Sequence, residues 1–316
     1  MKRIGNLYEK IYSIENLQLA DSIARKGKSK QYGVVMHDKN RDGNILKLHE
    51  MLKNKTYKTS EYTTFKIHEP KEREIFRLPY FPDRITHHAV MNILEPIFVS
   101  TFISQTYSCI KGRGIHAAAY AVRDSLKDFA GTKYCLKIDV KKFYPSVDHD
   151  VLKQLIRRKI KDNDLLWLLD EIIDSTEGLP IGNYLSQYFA NFYLTYFDHW
   201  IKESKAVKHY FRYADDIVIF SDSKQYLHRL LHDIRQYMLS ELKLTIKGNY
   251  QIFPIESRGV DFVGYVSFHT YVLLRKSIKK NYARMICKNK NSKSIASYNG
   301  WAFHCNSINL LKKLAA

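Results

Sequence analysis

Cysteine is scarce in this chain, and what there is shows no useful spacing. Cys109, Cys135, Cys287 and Cys305 are the four in 316 residues, and none forms the short paired motif of a zinc ribbon or redox centre. A disulfide framework and a structural zinc site are excluded on that pattern, so buried, reduced thiols of a cytoplasmic protein are expected. Long apolar runs are missing as well. The start Met1-Lys2-Arg3-Ile4-Gly5-Asn6 leads into no apolar segment of signal-peptide type, and no run approaches the length needed to span a membrane. The expectation is an intracellular protein with no membrane partner. Internal repeats and low-complexity linkers are absent too.

Acid is the charge in short supply. Lys and Arg number 51 against 32 Asp and Glu, a formal charge of +19. Such an excess points to polyanionic partners, nucleic acid first and an acidic membrane surface second. Hydrophobic residues at 45% place the chain among globular proteins with a sizeable core, in one large or two to three smaller substructures. Tyr at 23 and Phe at 16 serve that core, and aromatic rings beside basic residues are also what single-stranded nucleic acid stacks on.

The organising stretch is Phe211-Arg212-Tyr213-Ala214-Asp215-Asp216-Ile217-Val218-Ile219-Phe220. It reads as two β-prone runs with adjacent carboxylates at the bend, because neighbouring strand side chains leave on opposite faces and converge only where the chain turns. The β-branched flank puts both charges at the lip of a buried sheet. An unpaired carboxylate is costly there unless a cation binds, and magnesium suits oxygen ligands and substrate phosphates.

A second carboxylate ends the alternating run Tyr134-Cys135-Leu136-Lys137-Ile138-Asp139-Val140. Antiparallel strands lie about 4.8 Å apart and paired catalytic metals roughly 3.5–4 Å apart, so a strand carrying Asp139 beside the hairpin lets Asp139 and Asp215 share two ions. Asp139, Asp215 and Asp216 are the expected catalytic residues. With Val140 they make up the expected metal-holding set for two magnesium ions.

The rest of the chain frames this centre. Residues 7–60 read as helical, with a basic bend at Arg25-Lys26-Gly27-Lys28-Ser29-Lys30 that is either a phosphate contact or a solvated turn. Alternation from Tyr62 places Lys71, Arg73 and Arg77 on one face, fit for a triphosphate or for solvent. A helix from Asp83 to Pro96 carries His87 and His88, neighbours that read as packing or hydrogen-bonding residues rather than metal ligands. Another helix is expected near Ala117–Phe129. Asn183 is placed to cap a helix whose Leu185, Phe189, Phe192, Tyr196 and Trp200 recur at helical spacing, and Gly182 lets backbone come close to a base pair. Tyr226–Leu242 reads as helix, and Leu244-Thr245-Ile246-Lys247 leads into a strand. Lys276, Lys280, Arg284 and Lys288 recur every fourth residue, forming one basic stripe opposite Ile278, Tyr282, Met285 and Ile286. A stripe of this kind either tracks a nucleic-acid backbone or is a solvated face.

Tyr213-Ala214-Asp215-Asp216 resembles the Tyr-x-Asp-Asp catalytic motif of reverse transcriptases. That resemblance implies an α+β, right-hand polymerase fold: an N-terminal helical extension over 1–60, fingers over 61–130, an antiparallel-sheet palm over 131–268 and a small helical thumb over 269–316. Lys71 and Arg73 match the pair that grips the incoming nucleotide's phosphates. Tyr107–His116 is similar to the second fingers motif, but Ile110 stands where many relatives carry Arg, which shifts that role to Lys111 or Arg113. Phe143-Tyr144-Pro145-Ser146 resembles the segment with the aromatic steric gate, Tyr144 matching the gate that selects dNTPs; the alternative for such a ring is a core plug. Gly182, Gln187 and Phe143 belong to the implied dNTP site. Lys247 lies near the palm lysine that approaches the pyrophosphate, and Ser257–Tyr265 resembles the primer grip.

Ile181-Gly182-Asn183-Tyr184-Leu185-Ser186-Gln187 stands where most reverse transcriptases have Gln-Gly-x-x-x-Ser-Pro. The substituted form resembles reverse transcriptases of diversity-generating retroelements. Exchanging an amide for Ile181 removes a hydrogen-bonding partner near the nascent base pair and lowers discrimination. The resemblance implies error-prone copying concentrated at template adenines, with a template-repeat RNA, a primer and its cDNA, dNTPs and a small basic oligomeric accessory protein as partners. Two other readings stand beside it. A bacterial reverse transcriptase of group II intron or phage-defence lineage would keep the Asp triplet, and a non-catalytic RNA-binding scaffold would bind RNA indifferently to Asp215→Ala.

Overall fold

The structure, a computed structural model, describes residues 3–68, 72–287 and 292–315. The chain divides into two units: Met1–Phe102 with Lys142–Tyr196 and Ser240–Leu244, and Ile103–Lys141 with Phe197–Leu239 and Thr245–Ala316.

The first unit is helical with one exposed ribbon. Ser13 accepts the N–H of Asn16 and so starts the helix Ile14–Ala24. Its Leu17 and Ala20 are fully buried, and it packs on the helix Ile85–Val99. That second helix passes the expected stop at Pro96 and reaches Val99. An internal proline is costly, and the complete burial of Phe98 offsets it. Asp148 and Asp162 cap the helices His149–Arg157 and Asn163–Ile173. The helix Tyr184–Tyr193 buries Leu185, Phe189 and Phe192 as its periodicity predicts, but it stops at Tyr193: the expected Tyr196 and Trp200, each half-buried, lie on the separate short segments Thr195–His199 and Trp200–Ser204. Strands β1 (Thr63–Ile67) and β2 (Arg73–Arg77) pair antiparallel, and β1 is exposed throughout.

The second unit is built on a sheet of β3 (Tyr134–Asp139), β4 (His209–Tyr213), β5 (Asp216–Ser221) and β6 (Gln251–Pro254), in the order β4-β5-β3-β6 and antiparallel at every pairing. Ile217, Val218, Ile219 and Phe220 are all buried, as a central strand covered on both faces requires. Burial of side chains of this size contributes about 1.5–3 kcal/mol each, which holds β5 in register against carboxylate repulsion at its end. The run around Leu244–Lys247 makes one isolated bridge, Val140 to Ile246, and the strand starts only at Gln251.

A three-stranded sheet follows, β7 (Val260–Phe262), β8 (Tyr265–Ser267) and β9 (Val272–Leu274). The helices Lys276–Cys287, Ser292–Phe303 and Ile308–Ala315 complete the unit, sharing a core of Tyr265, Val272, Leu274, Tyr282 and Ala302. The helix expected near Ala117–Phe129 spans Ile115–Ser125. Among the cysteines Cys135 is buried as expected, but Cys109 and Cys287 are exposed. Cys109 stands at φ 55° in a surface loop, where alternation gives no guide to burial. Among the described residues no helix is long and apolar enough to cross a membrane.

Candidate active site

Tyr213 on β4 pairs with Asp216 on β5, so Ala214 and Asp215 form a two-residue turn. Such turns want a positive φ at their first position, and Ala214 adopts φ 53°, a conformation that costs a non-glycine residue about 1–2 kcal/mol. Arg212 holds the turn in place. Its guanidinium is fully buried, with Nε 2.7 Å from Asp198 Oδ1, Nη2 2.5 Å from Asp198 Oδ2, and Nη1 donating to the Ala214 carbonyl at 3.0 Å. Asp198, equally buried, also accepts from Tyr210 at 2.5 Å and Thr106 at 3.0 Å.

Across the sheet, Asp139 stands directly opposite Asp216. One oxygen of each, Oδ1 in both cases, is buried without a hydrogen-bond partner. Burial, then the charge of Asp139, pushes the Asp215 carboxyl up to about 6. Burial also raises Asp216, opposed by Lys137 and reinforced by Asp139. Crowded, desolvated carboxylates with orphaned oxygens are what a cation site is before the cation enters.

The donor set fits magnesium. All three side chains offer hard oxygen, and the Val140 carbonyl accepts neither of the hydrogen bonds that flank its bridge, Lys141 N–H to Thr245 and Lys247 N–H to Asp139. Among the described residues no three His, Cys, Asp or Glu side chains close into a cage. An open rim of carboxylates suits an ion that keeps waters and takes substrate phosphates as ligands. Two lysines attend the rim. Lys247 Nζ lies 2.5 Å from Asp139 Oδ2, and Lys137 Nζ lies 3.5 Å from Asp216 Oδ2.

Elsewhere in the second unit, Arg113 Nη1 donates to the Ile103 carbonyl at 2.9 Å, and Ile110 is buried. Lys276, Lys280 and Arg284 are exposed on one helix whose Tyr282 turns inward. Lys288 lies outside the described residues.

In the first unit the segment expected to read the base pair is tied to β2. Phe76 N–H donates to the Ile181 carbonyl at 2.8 Å, and a Cβ on Gly182, which has φ +119°, would stand 2.6 Å from the Phe76 carbonyl oxygen. The backbone that Gly182 admits is therefore that of β2. Asn183 does not cap its helix through its side chain; its amide donates to Tyr62 Oη at 3.0 Å instead. Phe143 is the buried ring of its pair, and Tyr144, edge-on to it at 5.7 Å, is half-buried.

A pocket of about 450 Å³ is lined by Lys28, Arg77, Arg84, His88, Gly182 and Gln187, among others. Arg73 stands exposed on β2 and does not line it; Lys71 lies outside the described residues. Burial and the neighbouring Arg84 lower Lys28, and burial and Arg77 lower Arg84. Among the described residues no carboxylate pairs with Lys28, Arg77 or Arg84. His87 also lines this pocket, with Nε2 unpartnered and its basicity reduced by burial to about 3; His88 stacks on Tyr184 at 4.6 Å.

Sequence reasoning assigned no role to Lys137, to Arg212 with Asp198, or to Arg84; Lys28 belongs to the basic bend read as a phosphate contact or a solvated turn, and the structure sets it beside Arg84. Lys137 and Arg212 carried a signal, since each interrupts an apolar strand face two residues from a neighbour of functional interest.

An antiparallel sheet with carboxylates on two adjacent strands is the palm arrangement of the right-hand polymerase fold. The model of the family described as reverse transcriptase (RNA-dependent DNA polymerase) matches residues 68–266, and the chain belongs to that family. It is 25% identical over 248 residues to protein YkfC of Escherichia coli, covering 63% of this chain and 65% of that one. It is 26% identical over 174 residues to the group II intron-encoded protein LtrA of Lactococcus lactis, covering 51% of this chain and 28% of LtrA. The chain thus spans just under two thirds of the one relative and less than a third of the other. Among solved structures, telomerase from Candida tropicalis superimposes with a TM-score of 0.53 at 13% identity, over 73% of this chain and 49% of that one, a likeness of fold.

Proposed function

We propose that this protein is an RNA-directed DNA polymerase that makes error-prone cDNA from a template-repeat RNA, with Asp139, Asp215 and Asp216 as its catalytic residues. The observation that carries this reading is the register that sets Asp139 against Asp216 at the mouth of the sheet, with a buried oxygen of each left unpartnered. The reaction joins a primer 3′-oxygen to the α-phosphorus of a dNTP and releases pyrophosphate. These carboxylates and the Val140 carbonyl would hold two magnesium ions, which would supply activation of the 3′-hydroxyl and neutralisation of triphosphate charge. Lys247, on Asp139, orients that carboxylate and is within the rim to meet the departing pyrophosphate.

The proposed divisions are an N-terminal extension over 1–60, fingers over 61–130, palm over 131–268 and thumb over 269–316. Lys71 and Arg73 are assigned to the triphosphate, Tyr144 to rejection of the ribose 2′-hydroxyl, with Phe143 packed beneath it, and Gly182 and Gln187 to the nascent pair. Unpaired cations beside the latter favour a phosphate-bearing ligand. Arg113, tied to Ile103, is assigned a supporting part in dNTP binding. Lys276, Lys280, Arg284 and Lys288 are assigned to the template–primer backbone.

Ile181 and Gln187, in place of the usual Gln and Pro, support the diversity-generating type, with its adenine-directed errors, template-repeat RNA, basic oligomeric accessory protein and bacterial or phage cytoplasm. Similarity to an intron-encoded protein favours a second reading, a reverse transcriptase of group II intron lineage. Deep sequencing of cDNA made on a primed RNA template, with Asp215→Ala as the blank, separates the two. Errors concentrated opposite template adenines support the first reading, and faithful cDNA supports the second.

A further inference from the structure

Lys137 stands on β3 between the buried Leu136 and Ile138. It follows Cys135 and precedes Asp139 on one face of β3, and its side chain is only 25% exposed. A close charge-assisted hydrogen bond spans about 2.7–2.9 Å, and the ion pair that Lys137 makes with Asp216 is looser than that. Lys137 Nζ stays 3.5 Å from Asp216 Oδ2 and donates at 2.5 Å to a neutral acceptor, the backbone carbonyl of Asp261 on β7. The link continues outward. Asp261 Oδ1 accepts from Arg275 Nε at 2.6 Å, and the Arg275 N–H donates to the Gly264 carbonyl at 2.9 Å. Arg275 directly precedes the helix that carries Lys276, Lys280 and Arg284. A cavity of about 400 Å³, lined by Lys137, Asp139, Gln251, Arg258, Gly259 and Asp261 among others, opens along this line of contacts.

We infer that Lys137 is a positioning residue that fixes the β7–β9 sheet and its basic helix to Asp216, and so sets where the end of a bound nucleic-acid strand meets the carboxylates. The inference rests on the reading of Asp216 as a catalytic carboxylate. Lys137 touches no reacting atom in this role. Its ammonium is a spacer between a carboxylate and a carbonyl, and the strand gripped by the helix inherits that spacing.

The test uses the full chain on a primed RNA template carrying 2-aminopurine at the primer 3′ end, with Lys137→Met and Lys137→Arg. Lys137→Met is expected to lower kcat at least tenfold, to leave the primer–template Kd and the dNTP KM within twofold, and to move the 2-aminopurine fluorescence of the complex toward that of free duplex. Lys137→Arg, which keeps the charge and the reach, is expected to restore the fluorescence and at least part of kcat. Unchanged kcat and fluorescence in Lys137→Met would overturn the inference, as would a tenfold loss of affinity with kcat intact. If Lys137→Met does not fold, Arg275→Met cuts the same link further out: displaced fluorescence supports the inference and a wild-type signal overturns it. A wild-type chain that makes no DNA counts against the polymerase reading, while the fluorescence arm, which needs no catalysis, still decides the part played by Lys137.

Discussion

Phe76 and Ile181 are joined by a backbone hydrogen bond of 2.8 Å, and the next residue, Gly182, has room for no side chain because the Phe76 carbonyl lies 2.6 Å from where its Cβ would stand. Gly182→Ala must therefore push β2 away or break that bond, besides paying about 1–3 kcal/mol for φ +119°. A fall in kcat/KM for dNTP of at least tenfold, with a drop in melting temperature, is expected from primer extension and thermal denaturation.

Ile181→Gln leaves the same backbone bond intact, since only the side chain changes. Melting within about 2 °C of wild type is expected, consistent with a substitution within about 0.5 kcal/mol, together with fewer errors opposite template adenines. An unaltered error spectrum on sequencing the cDNA would remove Ile181 from the fidelity assignment.

Without a divalent cation, Asp215 has a pH signature of defined sign. Its carboxyl rises from 3.8 to about 6 on folding, so between those values the folded state holds the extra proton and stability falls as pH rises. In EDTA, the melting temperature of wild type relative to Asp215→Asn should decline from pH 4 to pH 7. The asparagine variant should be the more stable at pH 7, by on the order of 1 kcal/mol. Magnesium should close the gap. Parallel curves for the two proteins in EDTA would show that Asp215 titrates normally.

Arg212 and Asp198 form a fully buried pair, and removing one partner leaves the other charged and dry. Asp198→Asn is expected to cost about 3–5 kcal/mol in urea denaturation. The double change Arg212→Met with Asp198→Leu should recover part of that stability but not activity, because the Ala214 carbonyl loses its donor.

How much of this could be read from the chain differs by residue. The hairpin and its partner strand were readable because a period of two and a turn at Ala214-Asp215 specify which side chains converge. The helix periodicity around Phe189 was equally informative. Lys137 shows in the chain only as a charge that interrupts an apolar strand, since alternation gives the face a side chain leaves from and not the carbonyl it reaches 124 residues away. The Lys28 and Arg84 cluster escaped for the same reason, being assembled from distant segments. Asn183 sits at the right position for a cap, yet Tyr62 competes for its amide. Cys109 and Cys287 are exposed because cysteine's usual preference for the core is overridden by a loop and a helix surface.

The most direct measurement is magnesium-dependent DNA synthesis on a primed RNA template by the wild-type chain, by Asp139→Ala and by Asp215→Ala. Polymerase chemistry at this rim requires product from wild type with magnesium, none in EDTA, and none above about one part in a thousand from either variant. Equal product from the variants, or RNA bound with undiminished affinity by a wild-type chain that never extends a primer, would contradict it.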